Sequence, residues 1–442
     1  MHGLEPTTAT NNLISQYLTY TKETESPRIY HRWSIIGAIG ALLSRNLYIQ
    51  HGHFRIYPNL YIMLMGAAGT RKSTAIKLVK RSISSAGYTT FAADKTSKEK
   101  FLMDLAGMPD FEASSYGRPA TKTDFNLDQN LFGGGNGDGT DYGDPKEVFI
   151  VADEFNEFAG AGNTDFYTTL GNLWDWDDPI NPFTQKFKTS QSVEIYQPTV
   201  SLLSGNTAEN FSRAFPAESQ GVGFLSRLLL IHGERTSTKL WRPTSPSRDE
   251  TERLIFALRA VLKTTGGGKE LAIDPEAEPI LEAIYKECCD DAVDDPRFLS
   301  YSSRRFTQLL KLCIIVSVAN RTETITRNNV IEAHTYLSAC EVHMPKSMGE
   351  FGKAKHSPIA DKIMNILNAT TKALTTKELF IKMGNDIDAA SKLGEILNSL
   401  TQQNKIQHIP NMGFLPKKDV SVKGKYVDWT LLTEEEQRDI GE

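Results

Sequence analysis

The sequence predicts an α/β fold: a parallel sheet carrying a phosphate-binding turn, then a helical region, then a small unit of three helices and a hairpin. Three observations lead there. An apolar run at 60–65, bounded by Pro58 and Gly66, passes into a glycine-containing turn and a helical pattern over 73–84. Two further apolar runs, 148–152 and 200–204, end in polar residues. From about 245 the apolar residues recur at helical spacing. Strands covered on both faces read as continuous apolar runs, which suits a parallel sheet.

Composition sets the bounds. The 442 residues carry 49 Lys+Arg against 54 Asp+Glu, a net of −5, with 40% hydrophobic and 23% charged residues. That mix excludes collagen-like and wholly disordered chains. The net charge argues against a histone-like binder but leaves room for a local basic channel. Cys288, Cys289, Cys313 and Cys340 form no CxxC and fall in helical apolar segments, so they read as reduced core residues with no zinc site. The stretch 1–12 is polar and lacks the apolar core of a signal peptide. The longest apolar stretch, 33–43, is far short of the roughly 20 residues of a membrane span. A cytoplasmic protein with no membrane partner is expected.

Taken in order, 1–57 reads as a helical segment with a buried helix at 34–43 and a short strand at 47–50. The core is 58–244. Within it, 110–147 holds eight acids against three bases and a glycine run, and reads as a flexible insertion. The region 245–352 reads as helical throughout. In 353–418, Pro358 opens one helix, Thr375 caps a second over 376–383, and 386–402 makes a third. A hairpin follows, turning at 410–413. This is the winged-helix plan, with eight Lys against five acids over 356–418. Such units contact duplex DNA or protein, and the sequence does not choose. The stretch 419–442 reads as an acidic tail.

The phosphate site is Gly66, Ala67, Ala68, Gly69, Thr70, Arg71, Lys72, Ser73, followed by Thr74. It fits G-x-x-x-x-G-K-[ST] except that Arg71 replaces the second glycine. Gly66 and Gly69 let the backbone curl around phosphate oxygens. Lys72 adds charge, the Ser73 hydroxyl can hold Mg²⁺, and the helix dipole points at the anion. The second strand runs into Asp153, a Mg²⁺ ligand, and Glu154, which would deprotonate the attacking water. The third ends near Asn206 and Thr207, of which Asn206 is the stronger candidate for contacting the γ-phosphate and that water. Arg227, inside the apolar run 223–231, needs an anion partner and suits a finger on a neighbouring subunit's phosphate. Arg304 or Arg305, opening a helix, could reach the nucleotide, and spacing does not choose between them.

Together these residues resemble the ATPase core of AAA+ helicases, in the branch that includes the minichromosome maintenance (MCM) proteins and viral superfamily III helicases. The loop is similar to the MCM loop, which also lacks the second glycine. Asp153, Glu154 and Phe155 are similar to the MCM Asp-Glu-Phe, and Leu225, Ser226 and Arg227 to its finger motif. The stretch 304–312 is similar to its sensor-2 helix, which favours Arg304. The stretches 57–61 and 173–175 look closer still to replication ATPases of phages and mobile elements. The resemblance covers about 30–415. It departs in having no room for the MCM N-terminal collar, no zinc ribbon and no primase-polymerase region.

The resemblance implies an AAA+ P-loop ATPase with a parallel sheet, an α-helical lid and a C-terminal winged helix. It implies ATP and Mg²⁺ as cofactors, a hexameric ring, and single-stranded and forked DNA as partners, with a primase or polymerase as a further one. It also implies a pore hairpin before the third strand. Here 182–188 alternates and returns through 193–196, so Lys186 and Lys188 would share one face toward a DNA backbone. The leading expectation is a replicative DNA helicase. The alternatives are an ATP-dependent origin binder or helicase loader that does not unwind, and a signalling or defence NTPase that does not respond to DNA.

Overall fold

A computed structural model of the chain describes residues 12–108, 146–187, 192–215, 223–264, 268–289, 292–293, 295–349 and 357–440, apart from 369, 371, 385–389, 403–405, 411 and 417–424. The insertion expected at 110–147 therefore lies outside the described residues, except at its end. Two compact units form: 1–349 together with 425–442, and 350–424.

The first unit is built on a four-stranded, all-parallel sheet of β3 (Tyr61–Met65), β4 (Glu147–Ala152), β7 (Thr199–Asn206) and β8 (Leu228–His232), in the order β4-β7-β3-β8. All of β3 and β7 is buried, as their apolar sequences require. The register aligns the C-terminal ends: Met65 pairs with Asn206 and His232, and Ala152 with Ser204. Thus β7 separates the strand of the glycine turn from the strand that ends in acids. The apolar run around Arg227 proves to be a fourth strand, with Arg227 at its entrance rather than inside it.

Helices cover the sheet. First come α1 (Leu13–Tyr20) and α2 (Arg28–Leu43), of which α2 is buried almost all round. It crosses so close to the chain entering β3 that a Cβ on Gly40 would stand 2.4 Å from the Pro58 carbonyl O. Next are α3 (Lys72–Ala86), α4 (Lys98–Ala106), α5 (Phe155–Ala159), α6 (Thr164–Trp174) and α7 (Ala208–Ala214). The hairpin β5 (Phe183–Lys186) and β6 (Ser192–Ile195) precedes β7.

The later region contains α8 (Arg248–Leu262), α9 (Glu278–Cys288), α10 (Leu299–Ser302), α11 (Arg305–Ala319) and α12 (Arg327–Ser347). Reciprocal side-chain caps start α8, through Ser247 and Glu250, and α12, through Thr326 and Asn329. The region is not helical throughout. The strand β9 (Lys269–Glu270) pairs with β1 (Leu47–His51), which also pairs with β2 (Phe54–Ile56). Cys288, Cys289, Cys313 and Cys340 are all buried.

The second unit holds α13 (Ser357–Asn368), α14 (Thr376–Met383), α15 (Ala390–Gln402) and the hairpin β10 (Ile406–Ile409) and β11 (Gly413–Pro416). Thr375 and Glu378 cap α14 reciprocally, and Ile363, Leu367, Leu379, Leu393 and Leu397 fill the core between the three helices. Phe414 exchanges backbone hydrogen bonds with Leu374, tying the hairpin to the start of α14.

Residues 425–442 belong to the first unit and include α16 (Glu434–Ile440). Glu436, 4% exposed, accepts from Arg32 Nε at 2.7 Å and Nη2 at 2.6 Å. Charge counting treats every acid as solvated, whereas Arg32, 3% exposed on α2, requires a buried counter-charge. Among the described residues, no helix is long and apolar enough to cross a membrane.

Candidate functional site

The turn joining β3 to α3 spans 66–71, and packing dictates its shape. A Cβ on Gly66 would stand 2.4 Å from Tyr30 Oη and 2.6 Å from the Gly233 carbonyl O. Tyr30 is fully buried, and its hydroxyl donates to the Met65 carbonyl at 2.6 Å. Residues 67–69 are exposed, while Thr70 is buried. Arg71 adopts φ 62° and ψ 28°, the left-handed region that favours glycine. The departure from the P-loop pattern is therefore one of side chain: the backbone keeps the shape that the usual glycine would adopt.

The Arg71 side chain is tethered. Its Nε and Nη2 donate to Glu25 Oε2 at 3.0 and 2.6 Å. Glu25 Oε1 accepts from the Leu240 N–H, and the Ser26 hydroxyl donates to the Arg71 carbonyl. The Leu240 N–H and then the Arg71 guanidinium hold the Glu25 carboxyl below its ordinary pKa. Sequence reasoning missed Glu25, because nothing in a spacing pattern links it to a residue 46 positions away.

Lys72 Nζ folds back over the turn, donating to the carbonyls of Gly66 at 2.7 Å and Ala67 at 2.9 Å and to Thr70 Oγ1 at 3.2 Å. Burial lowers its pKa from the usual lysine value, and the charge of Glu154 opposes that shift. Ser73 and Thr74 lie half-buried in the first turn of α3.

Asp153 leaves the end of β4, and its Oδ2 meets Lys77 Nζ at 2.8 Å. Glu154 is exposed at the start of α5. Gly205 brings the pieces together: a Cβ there would stand 2.6 Å from the Asp153 carbonyl O and 3.6 Å from Lys72 Cβ. Asn206 is 2% exposed. Its Nδ2 donates to Asn156 Oδ1 at 3.3 Å, and its Oδ1 accepts from the Thr207 N–H. Thr207 itself caps α7. Lys77 and Asn156 were also missed, since only the fold places them beside the acids and Asn206.

The two arginines are elsewhere. Arg227 Nη1 donates to the Gly223 carbonyl at 2.6 Å, and Nη2 pairs with Asp175 Oδ2 at 2.9 Å. Arg304 Nη1 reaches the same oxygen at 2.9 Å. Arg305 is separated from this role: it is 1% exposed and donates to both oxygens of Glu341 at 2.8 Å. Arg227 precedes Leu228, which pairs with Tyr61, the first residue of β3. The glycine turn follows Met65, the last. Four strand steps, about 13 Å, lie between. Arg304, expected to reach the nucleotide, stands beside Asp175 at the end of the sheet opposite the glycine turn of its own chain.

The hairpin expected before the third strand forms, with Lys186 exposed and paired opposite Ser192. Phe183, Val193 and Ile195 are buried on its other face, and Phe183 packs edge-on against Trp176. Glu194 is exposed opposite Thr184, two residues from Lys186. Lys188 lies outside the described residues. No protein-family model matches the chain, and no curated protein matches it in sequence.

Proposed function

We propose that this chain is an ATP-driven, ring-forming DNA translocase of the AAA+ class, a replicative DNA helicase of a phage or mobile element. One observation carries the reading: Lys72, Ser73, Asp153, Glu154 and Asn206 gather at the C-terminal ends of β3, β4 and β7, where α/β sheets bind ligands. The turn suits a triphosphate, with no room at Gly66, an exposed stretch at 67–69, and a lysine whose hydrogen bonds go to turn oxygens. Ser73 and Asp153 offer the hard oxygen donors that suit Mg²⁺, which when bound neutralises charge on the β- and γ-phosphates.

In this reading Glu154, exposed beside the turn, takes the proton of the attacking water. Asn206, at the C-terminal end of β7, would contact the γ-phosphate and that water on exchanging its hydrogen bond to Asn156. Arg227 and Arg304, at the far end of the sheet, serve the nucleotide of an adjacent subunit in a hexamer. The β5–β6 hairpin carries Lys186 for contact with single-stranded DNA, and Lys188, outside the described residues, is proposed for the same role. The helices of 245–352 act as the lid, and 353–418 as a winged helix.

The test is ATP hydrolysis with and without single-stranded DNA, beside unwinding of a forked substrate, for wild type and Lys72→Ala. DNA-stimulated hydrolysis and unwinding, both lost in Lys72→Ala, are expected. Hydrolysis without unwinding would place the chain with loaders and origin binders. Hydrolysis indifferent to DNA, with no unwinding, overturns the proposal.

A further inference from the structure

At the N-terminal ends of the strands lies a cavity of about 340 Å³, between the β1–β2 hairpin, the start of β7 and α11. Arg45, Arg55, Arg304 and Lys311 line it, against Asp175 and Asp177. Arg45 and Lys311 are 7% and 2% exposed, yet neither forms an ion pair among the described residues. Their hydrogen bonds go to neutral acceptors. Arg45 donates to the carbonyls of Trp176 and Pro198, and Lys311 to Asn59 Oδ1 at 2.6 Å. Burial lowers the pKa of both, and Asp177 and Asp175 oppose that shift through space without contacting either cation; an anion arriving in the cavity would offset part of the desolvation cost.

The walls are aromatic. The Arg45 guanidinium lies 4.0 Å from the centre of the Tyr57 ring, and Lys311 Nζ lies 4.1 Å from that of Trp174. Phe54, 66% exposed, stands on the rim beside Arg55, which is also exposed. Cations interleaved with aromatic faces form a surface on which a base stacks while its phosphate is neutralised.

We propose that this cavity is a second binding site, separate from the glycine turn, for a nucleoside phosphate: the base lies against Phe54, the exposed ring on the rim, and the phosphate faces Arg45, Arg55 and Lys311. The unit comes either as a free nucleotide or as one link of a single strand. The proposal does not depend on ATP hydrolysis, since the two sites lie at opposite ends of the sheet.

The test uses full-length Lys72→Ala protein, which weakens binding at the glycine turn, and the Arg55 and Phe54 substitutions identify the site that a probe occupies. AMP is titrated by calorimetry, and a fluorescein-labelled oligothymidylate by anisotropy. Saturable binding of either probe is expected, weakened about tenfold or more by Arg55→Glu, as for loss of a charged hydrogen bond. Phe54→Ala should weaken it too, and Arg55→Lys should retain most of it. Both positions are exposed, so unchanged melting curves are expected. AMP alone binding in this residue-dependent way assigns the free nucleotide. The oligonucleotide alone assigns the strand. Absence of binding by both probes, or binding that neither Arg55→Glu nor Phe54→Ala alters, overturns the proposal. ATPase and unwinding of the wild type are read separately, so the two proposals fail independently.

Discussion

Asp175 Oδ2 lies 2.9 Å from both Arg227 Nη2 and Arg304 Nη1. One carboxylate thus gathers two guanidiniums at the end of the sheet farthest from their own glycine turn. In a ring, those guanidiniums would complete the neighbour's site. Uniform Arg227→Ala protein should then lose about 10³-fold in kcat, in the range measured for arginine fingers. Mixing Arg227→Ala subunits into wild type should depress hydrolysis more steeply than dilution, because each variant subunit disables an intact neighbour. Activity that falls linearly with the wild-type fraction would remove the role in trans.

Arg71 combines a left-handed backbone with a tether to Glu25. A non-glycine residue in that region costs about 1 kcal/mol, and a solvent-screened surface ion pair returns less than that. Arg71→Gly relieves the first and loses the second, so its unfolding free energy should stay within about 1 kcal/mol of wild type. Arg71→Ala loses the tether and keeps the strain, so it should be the less stable of the two. Denaturant unfolding of both variants checks the order, and a more stable Arg71→Ala would contradict it.

The parts of the site visible in the sequence are those that are contiguous in the chain. The residues 66–74 announce a phosphate turn, and 148–154 a strand ending in acids, because local geometry and burial alone fix them. The same holds for Thr375, whose cap with Glu378 is encoded within one turn. What escaped was set by distant contacts. Glu25 meets Arg71, Asp175 meets Arg227 and Arg304, and Glu436 meets Arg32 only once the chain has folded. The apolar run 228–231 is too short for its period to separate a buried strand from a buried helix.

The Arg32–Glu436 pair is buried on both sides, with side chains 3% and 4% exposed. Removing one partner strands the other charge, so Glu436→Ala should destabilise the first unit by about 3–5 kcal/mol. Replacing both with apolar residues of similar size, Arg32→Met with Glu436→Leu, removes that penalty and should recover most of the loss. Thermal unfolding of the single and double variants separates the cases. A double variant as unstable as Glu436→Ala would mean that the pair contributes through shape rather than charge.

His31 and His334 are buried, and desolvation brings each pKa from its ordinary 6.5 down to about 3. The charges of Arg28 and Arg305 act in the same direction, while a hydrogen bond that the His334 ring donates to the Lys425 backbone opposes the shift there. His31 faces the Thr24 hydroxyl at 2.8 Å, and His334 Nδ1 faces Arg305 Nη2 at 3.4 Å. In the native chain both stay neutral until near pH 3, while in the unfolded chain they bind protons below 6.5. The unfolded state therefore holds more protons in that window, and stability falls as pH drops from 6.5 toward 3. Each histidine contributes a slope of up to about 1.4 kcal/mol per pH unit. Urea unfolding at about pH 7 and at about pH 5 should show the loss, and His31→Gln, which can keep the bond to Thr24, should flatten it. A slope unchanged by that substitution would mean that His31 is already protonated in the folded protein or that its unfolded-state proton does not govern acid stability.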